Sequence, residues 1–250
     1  DHRDLHSFPT RRSSDLKDLP PHQYKCHNEA AKIKMDVWLK FLGWWFSEGC
    51  AFDSKSPRVS IRQMSKCPEL VKLLEDMPYS SFISKDGQYS IFSRQLYEYF
   101  KQFGDKYSKR IPKWIFGLNK RQINIFLRAF EAGDGHINKG ITTIGLCNEG
   151  LIDDLQALYC ITGRVVTKRH SVTNTGFNVY TITVSMEKRK YTELRKHSIR
   201  TIPYDGNIWC LAVPPYHNFL IRYNNRVSYT GNSYFQYNYM MSRIRGANNF

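Results

Sequence analysis

Apolar side chains recur at helical spacing over residues 35–48, MDVWLKFLGWWFSE, and again through 127–134, LRAFEAGD. Each run ends in an acidic residue followed by glycine: Glu48-Gly49 and Asp134-Gly135. Small residues stand four apart inside each run, Gly43 and Ser47 in the first, Ala129 and Gly133 in the second. Positions i and i+4 share a helix face, so each helix carries a flat stripe that a second backbone can approach closely. Leu42, Phe46, Leu127 and Phe130 flank the stripes. Two such helices side by side bring Glu48 and Asp134 to one end. Gly49 and Gly135 read as left-handed caps that fix the acids in the last turn. A helix C-terminus favours a cation, not a carboxylate. Two acids at converging ends therefore repel each other and call for a divalent metal. Hard cations such as Mg²⁺ take oxygen ligands and activate water for phosphodiester cleavage. The plainer reading of either run alone is an amphipathic helix with a glycine cap.

The rest of the chain repeats an order of elements. PRVSIRQ (57–63) alternates Val59 and Ile61 with Arg58, Ser60 and Arg62, as a strand with one buried and one basic face does. Residues 68–77 have helical spacing, 81–93 read as a hairpin about Asp86-Gly87, and 94–104 as a helix ended by Gly104. After Asp134, strand material at 135–148 turns at Lys139-Gly140. A helix at 150–163 follows, then a hairpin of 164–172 with 178–186, then a basic helix at 187–197. Glu48 and Asp134 are 86 positions apart (134 − 48), a repeat length. The expectation is an α+β fold with pseudo-twofold symmetry inside one monomeric chain. The first repeat spans 17–118 and the second 119–198.

The paired runs resemble the two motifs of the LAGLIDADG (DOD-type) homing endonucleases. The lead-in KRIPKWIFGLNKRQINIFLRAFEAGDG (109–135), a basic-Ile-Pro turn and an aromatic helix before the second motif, resembles the same family. The resemblance covers about residues 35–198 and implies two αββαββα-like repeats. It implies that Glu48 and Asp134 are the metal-binding catalytic acids, with Mg²⁺ as cofactor. Gly43 and Ala129, with Ser47 and Gly133, would form the helix interface. Glu48 departs from the commoner Asp but keeps the carboxylate. The family's saddle-shaped sheet lies in the DNA major groove, which makes Arg58 and Arg62 candidate contacts and Gln63 a candidate polar residue near the site. Lys168 or Lys188 would be the lysine that assists catalysis, or else a phosphate contact or a plain surface lysine. The implied substrate is a long, asymmetric double-stranded DNA site, cut on both strands. A DNA-binding protein of this fold that no longer cuts is the alternative.

Charge supports a polyanionic partner. Lys and Arg outnumber Asp and Glu 37 to 22, for a net charge of +15 over 250 residues. No apolar run reaches the ~18 residues of a membrane helix, so no membrane partner is expected. Six scattered cysteines (26, 50, 67, 147, 160, 210) form no CxxC pair and read as reduced thiols of a cytoplasmic protein.

Both ends are read apart from the repeats. HSFPTRRSSDL (6–16) looks like a translated sequencing-adapter oligonucleotide, so residues 1–16 are expected to be a disordered artefact and the native chain to extend upstream. NIWCLAVPPYHNFLIRYNNRVSYTGNS (207–233) resembles the C-terminal splicing blocks of an intein, with its His-Asn-Phe element 14 residues before Asn232 (232 − 218). This implies a partial all-β Hint segment at 199–232. Asn232 would cyclise onto its own carbonyl, Ser233 would be the nucleophile, and His217 the general acid/base. Gly231 stands where His is usual. Cys210 stands where many relatives have Asp, either as a structural or base-assisting residue or as a first nucleophile. The N-terminal splicing half is absent from the sequence, so splicing is expected to be incomplete. A decayed intein that keeps only splicing remains open. Strands at 207–230 would then lack partners and exchange amide hydrogens faster than the core. SYFQYNYMMSRIRGANNF (233–250) would be host sequence, and resembles the ATPase region of phage terminase large subunits. The host would be a bacterial cell carrying the phage or prophage.

Overall fold

The computed structural model describes residues 5–6, 32–53, 55–63, 67–185, 203–207, 211, 213–214 and 218–231. Strand β1 (Leu5–His6), inside the segment expected to be disordered, pairs antiparallel with β2 (Ile33–Lys34). Helix α1 (Met35–Glu48) follows directly and is buried along most of its length. Its partner α4 (Lys120–Asp134) starts at Asn119, whose side chain accepts from the Gln122 N–H. That cap satisfies one of the amides that a helix start leaves orphaned.

Each helix runs into a four-stranded antiparallel sheet. The first sheet contains β3 (Gly49–Phe52), β4 (Arg58–Arg62), β5 (Ser81–Ile83) and β6 (Gln88–Phe92), in the order β3-β4-β6-β5. The second contains β7 (Gly135–Asn138), β8 (Ile141–Leu146), β9 (Val165–Val172) and β10 (Asn178–Ser185), in the order β7-β8-β10-β9. The two orders are equivalent, and the helix between the second and third strands, α2 (Pro68–Glu75) or α5 (Glu149–Ile161), occurs in both. The mixed α+β architecture and the duplication therefore agree with the sequence reading. One strand is added: GCAF at β3 is too short to show a period. Helix α3 (Arg94–Phe100) closes the first repeat and passes through a 3₁₀ turn to Gly104 at φ 86°. The aromatic helix expected before α4 is a 3₁₀ turn, Lys113–Gly117. The expected helix at 187–197 lies outside the described residues.

Aromatic rings join the repeats. Trp45 packs against Phe100 with ring centroids 4.5 Å apart, and Phe46 reaches Phe126 of the second repeat at 5.9 Å. The connection between repeats is clamped. Arg110 makes a two-point contact with Asp154 (2.8 and 2.7 Å), which also accepts from the Ile111 N–H at 2.9 Å. Asn148 donates to the Lys109 carbonyl at 2.9 Å. A further hairpin, β11 (Asn218–Tyr223) and β12 (Arg226–Gly231), turns at Asn224-Asn225, both at positive φ. It rests on α5.

Candidate active site

The small stripes meet as their spacing implies. A Cβ on Gly43 would run into the Phe126 carbonyl and stand 2.7 Å from Ala129 Cβ. A Cβ on Gly133 would stand 2.8 Å from Ser47 Cβ and 3.2 Å from Glu48 Cγ. Ser47 donates its hydroxyl to the Trp44 carbonyl at 2.9 Å, and its Oγ and Cβ are the surface that Gly133 packs against. The backbones of α1 and α4 thus touch at their C-terminal ends, and Glu48 lies beside the segment that carries Asp134.

The glycines after the acids are not left-handed caps. Gly49 (φ −93°, ψ 158°) and Gly135 (φ −87°, ψ 129°) are extended. Glycine is needed there for space: a Cβ at Gly49 would run into the Trp45 ring and stand 2.5 Å from the Trp45 carbonyl oxygen, and one at Gly135 would stand 2.8 Å from the Glu131 Cα. The extended conformation sends the chain straight from each acid into β3 or β7. Each acid therefore stands where a helix becomes the first strand of its sheet.

Lys109 is the third member of the site, and local spacing gives no sign of it. Its side chain is buried, 3% exposed. Its ammonium donates to the carbonyls of Gly49 (2.6 Å), Trp45 (2.9 Å) and Phe46 (3.4 Å) and lies 4.3 Å from the Trp45 ring centroid. It adds a charged donor at the C-terminal end of α1, where the Trp45 carbonyl also accepts from the Gly49 N–H. Burial pushes its pKa down to about 8, against the pull of Cys50, Asp134 and Glu48. Asp134 is pushed up to about 7, by burial first and then by the Glu48 charge, while Lys109 draws it back. Burial also raises Glu48, again opposed by Lys109. Two crowded carboxylates and one desolvated ammonium form a coupled electrostatic unit.

The carboxylates fit a hard cation. Among the described residues no cluster of three or more His, Cys, Asp or Glu side chains is placed to hold a metal. Mg²⁺ normally takes only one or two carboxylates and fills its shell with water and substrate phosphate. Glu48 and Asp134 supply that share, and their mutual repulsion is what a cation relieves.

The remaining candidates separate. Arg58 and Arg62 lie on the face of the first sheet opposite the core residues Val59 and Ile61. Ser60, on the same side as the arginines, is buried, and its hydroxyl pairs with that of Ser90 at 2.9 Å across the strands. Gln63 directly follows the strand, its N–H donating to the Gly87 carbonyl at 3.0 Å. Lys168 is placed elsewhere than expected. Its side chain is 2% exposed and its ammonium contacts Glu149 (2.6 Å) and Asp153 (2.7 Å) of α5. It shares the inward parity of Val166 and stands opposite Ile182, so it is held inside the second repeat. Arg169, one residue on, is exposed with the opposite parity, and the strand alternation would have found it. Lys188, His217, Cys210, Asn232 and Ser233 lie outside the described residues.

No protein-family model matches the chain. The chain is 24% identical to the DNA-directed RNA polymerase subunit beta C-terminal section of Stigeoclonium helveticum, over 80% of its length. It is 26% identical to the DNA polymerase II large subunit of Thermococcus kodakarensis, over 60%, and 26% identical to a DNA polymerase of Methanocaldococcus jannaschii, over 83%. It spans 24%, 9% and 13% of those relatives' own lengths. Among solved structures it is similar to mesophilic variants of the homing endonuclease I-DmoI, at 19% identity over 61% of this chain and 90% of that one, with a TM-score of 0.48. I-DmoI has been solved with DNA and Mn. Full-length DUF199/WhiA from Thermatoga maritima is similar at 15% identity over 62% of this chain and 52% of that one, TM-score 0.40.

Proposed function

We propose that this chain is an intein-associated homing endonuclease that makes metal-dependent double-strand breaks in DNA lacking the intein. The observation that carries the reading is the juxtaposition of Glu48 and Asp134, forced by the Ser47–Gly133 contact, with Asp134 held near pH 7 by burial and by Glu48. Structural roles alone do not call for two desolvated carboxylates at abutting helix ends. Glu48 and Asp134 would hold Mg²⁺, which supplies polarisation of the scissile phosphate and a nucleophilic water when bound. Lys109 keeps a positive charge beside both acids and holds Asp134 closer to its ionised form. It also places a cation where phosphate charge grows. Arg58, Arg62 and Arg169 line the sheet faces that continue from the acids and would contact the duplex. A long asymmetric site suits two repeats whose side chains differ.

The tail reading belongs to the same proposal. Gly231 ends β12 one residue before Asn232, so the hairpin would deliver the splice junction. Asn232 would cyclise, Ser233 would carry the ester, and His217 would assist, with an N-terminal splicing half completing the reaction. The host would be a terminase-like phage protein in a bacterial cytoplasm.

The test is Mg²⁺-dependent cleavage of a plasmid carrying the uninterrupted host gene, with Asp134→Asn alongside. Double-strand cutting near the insertion point, lost in the variant, is the expected result. Salt-sensitive binding without cutting would assign a non-cleaving DNA-binding protein. Neither binding nor cutting would leave splicing as the surviving activity.

A further inference from the structure

The outward face of the first sheet exposes aromatic rings among its arginines. Phe52, Arg58 and Phe92 stand directly opposite one another across β3, β4 and β6. The next row along the strands is Cys50, Ser60, Ser90 and Phe82. Period-2 alternation places both rows on one side, while Val59, Ile61, Tyr89 and Ile91 fill the core on the other. Phe82 is 59% exposed and Phe92 53%. Arg58 lies over the Phe52 ring at 4.7 Å, which holds its guanidinium up on the same face. Ser60 and Ser90 between them are buried and hydrogen-bonded to each other, so the rings and guanidinium groups stand above the centre of the face.

Single exposed rings need no explanation, but three on one face, set around two arginines, form a patch with a chemical character. The arginines call for a polyanion, and the chain carries a net charge of +15. Within a DNA major groove, the apolar feature that Phe can touch is the C5-methyl group of a pyrimidine. The second sheet differs. Its outward positions at Thr143, Thr167, Thr181 and Thr183 carry hydroxyls, with no Phe, Tyr or Trp among the outward-facing residues of its described strands.

We propose that Phe82 and Phe92, beside Arg58, are specificity-determining residues that read pyrimidine C5-methyl groups in the half-site bound by the first repeat. The inference rests on the DNA-cleaving reading above and adds the chemistry of one half of its substrate. The methyl group belongs to thymine or to 5-methylcytosine.

The test starts from duplexes that the protein itself recovers from a randomised DNA pool. Each thymine is replaced in turn by deoxyuracil, which removes only the methyl group. Binding is expected to weaken about four-fold per contacted position, the effect of exposing one methylene-sized group. Those positions should cluster in one half of the site. Phe82→Ala/Phe92→Ala should lose sensitivity there and keep it elsewhere, with an unchanged thermal midpoint because both rings are exposed. Cytosine positions that bind more tightly when 5-methylated assign the second source. Tight binding with no deoxyuracil effect, or an effect unchanged in the variant, overturns methyl reading and leaves the nuclease standing. A dimer that the double variant abolishes assigns the rings to a second copy of the chain and also overturns it. Recovery of no duplex overturns both readings together.

Discussion

The ammonium of Lys109 donates a 2.6 Å hydrogen bond to the carbonyl of Gly49, the residue that joins the Glu48 helix to its sheet. One side chain thus serves as helix cap and as counter-charge to Glu48 and Asp134. Lys109→Met should remove the charge and leave three carbonyls without that donor. Cleavage is expected to fall by about 100-fold or more, the scale seen when one preorganised donor is lost. DNA affinity, set mainly by exposed cations, should change little. Single-turnover cleavage and a binding titration on the same duplex separate the two. Normal cutting by a folded Met variant would reduce Lys109 to a cap.

Asp134 makes stability depend on pH in an unusual direction. Its folded pKa, about 7, lies above the ordinary 3.8, so the folded protein holds this proton more tightly than the unfolded chain does. Stability from this group is therefore full below about pH 4 and is lost as pH rises towards 7. The loss is at most about 4 kcal/mol if the whole shift is realised. Glu48, raised in the same way, adds with the same sign. Asp134→Asn should be more stable than the parent at pH 7.5 in metal-free buffer, and the advantage should shrink at pH 5. Urea midpoints of both proteins at both pH values measure this. A constant difference would show that Asp134 does not titrate in that window.

The contact between Gly133 and Ser47 leaves no room for a methyl group. Gly133→Ala would push α4 away from α1 beside Glu48, at a cost of about 1–3 kcal/mol for overpacking. Cleavage should suffer more than stability, because the acids move apart. Gly117→Ala, with nothing within 4 Å of the new atom, is the matched control and should stay within about 0.5 kcal/mol. Thermal melts and cleavage of both variants give the comparison.

What could be read in the sequence was local. The i, i+4 stripes fixed which faces of α1 and α4 would meet. Turn pairs such as Lys139-Gly140, at φ 46° and 76°, located hairpins because few residues adopt those angles. Glycine after a helix was ambiguous. It signals either positive φ or close approach, and at Gly49 and Gly135 the approach of Trp45 and Glu131 decides. Parity separates Lys168 from Arg169, since a strand reverses its facing at every residue and Arg169 takes the exposed side. Lys109 was out of reach because its partners lie 60 to 64 residues away. No periodicity encodes such a contact.

The β11–β12 hairpin gives the last prediction, because its sequence suggested strands without partners. It is instead docked on α5. Gln156, fully buried, donates to the Asn225 carbonyl at 2.8 Å and accepts from Arg222. Arg222 also donates to the Asp153 carbonyl at 2.9 Å and pairs with its carboxylate at 3.0 Å. The Cys160 thiol lies 3.8 Å from the Val227 carbonyl. Amides of residues 219–230 should therefore exchange more slowly than in an isolated hairpin. Gln156→Leu would keep the bulk and strip away the two hydrogen bonds to the hairpin, together with a longer one to the Val166 carbonyl at 3.5 Å, at about 1–3 kcal/mol for the groups left unsatisfied. Hairpin exchange should then accelerate by about ten-fold or more, since 1.4 kcal/mol is a factor of ten. Exchange in β8 and β10 should stay unchanged. Hairpin amides that already exchange at free-peptide rates in the parent protein would rule out the docking.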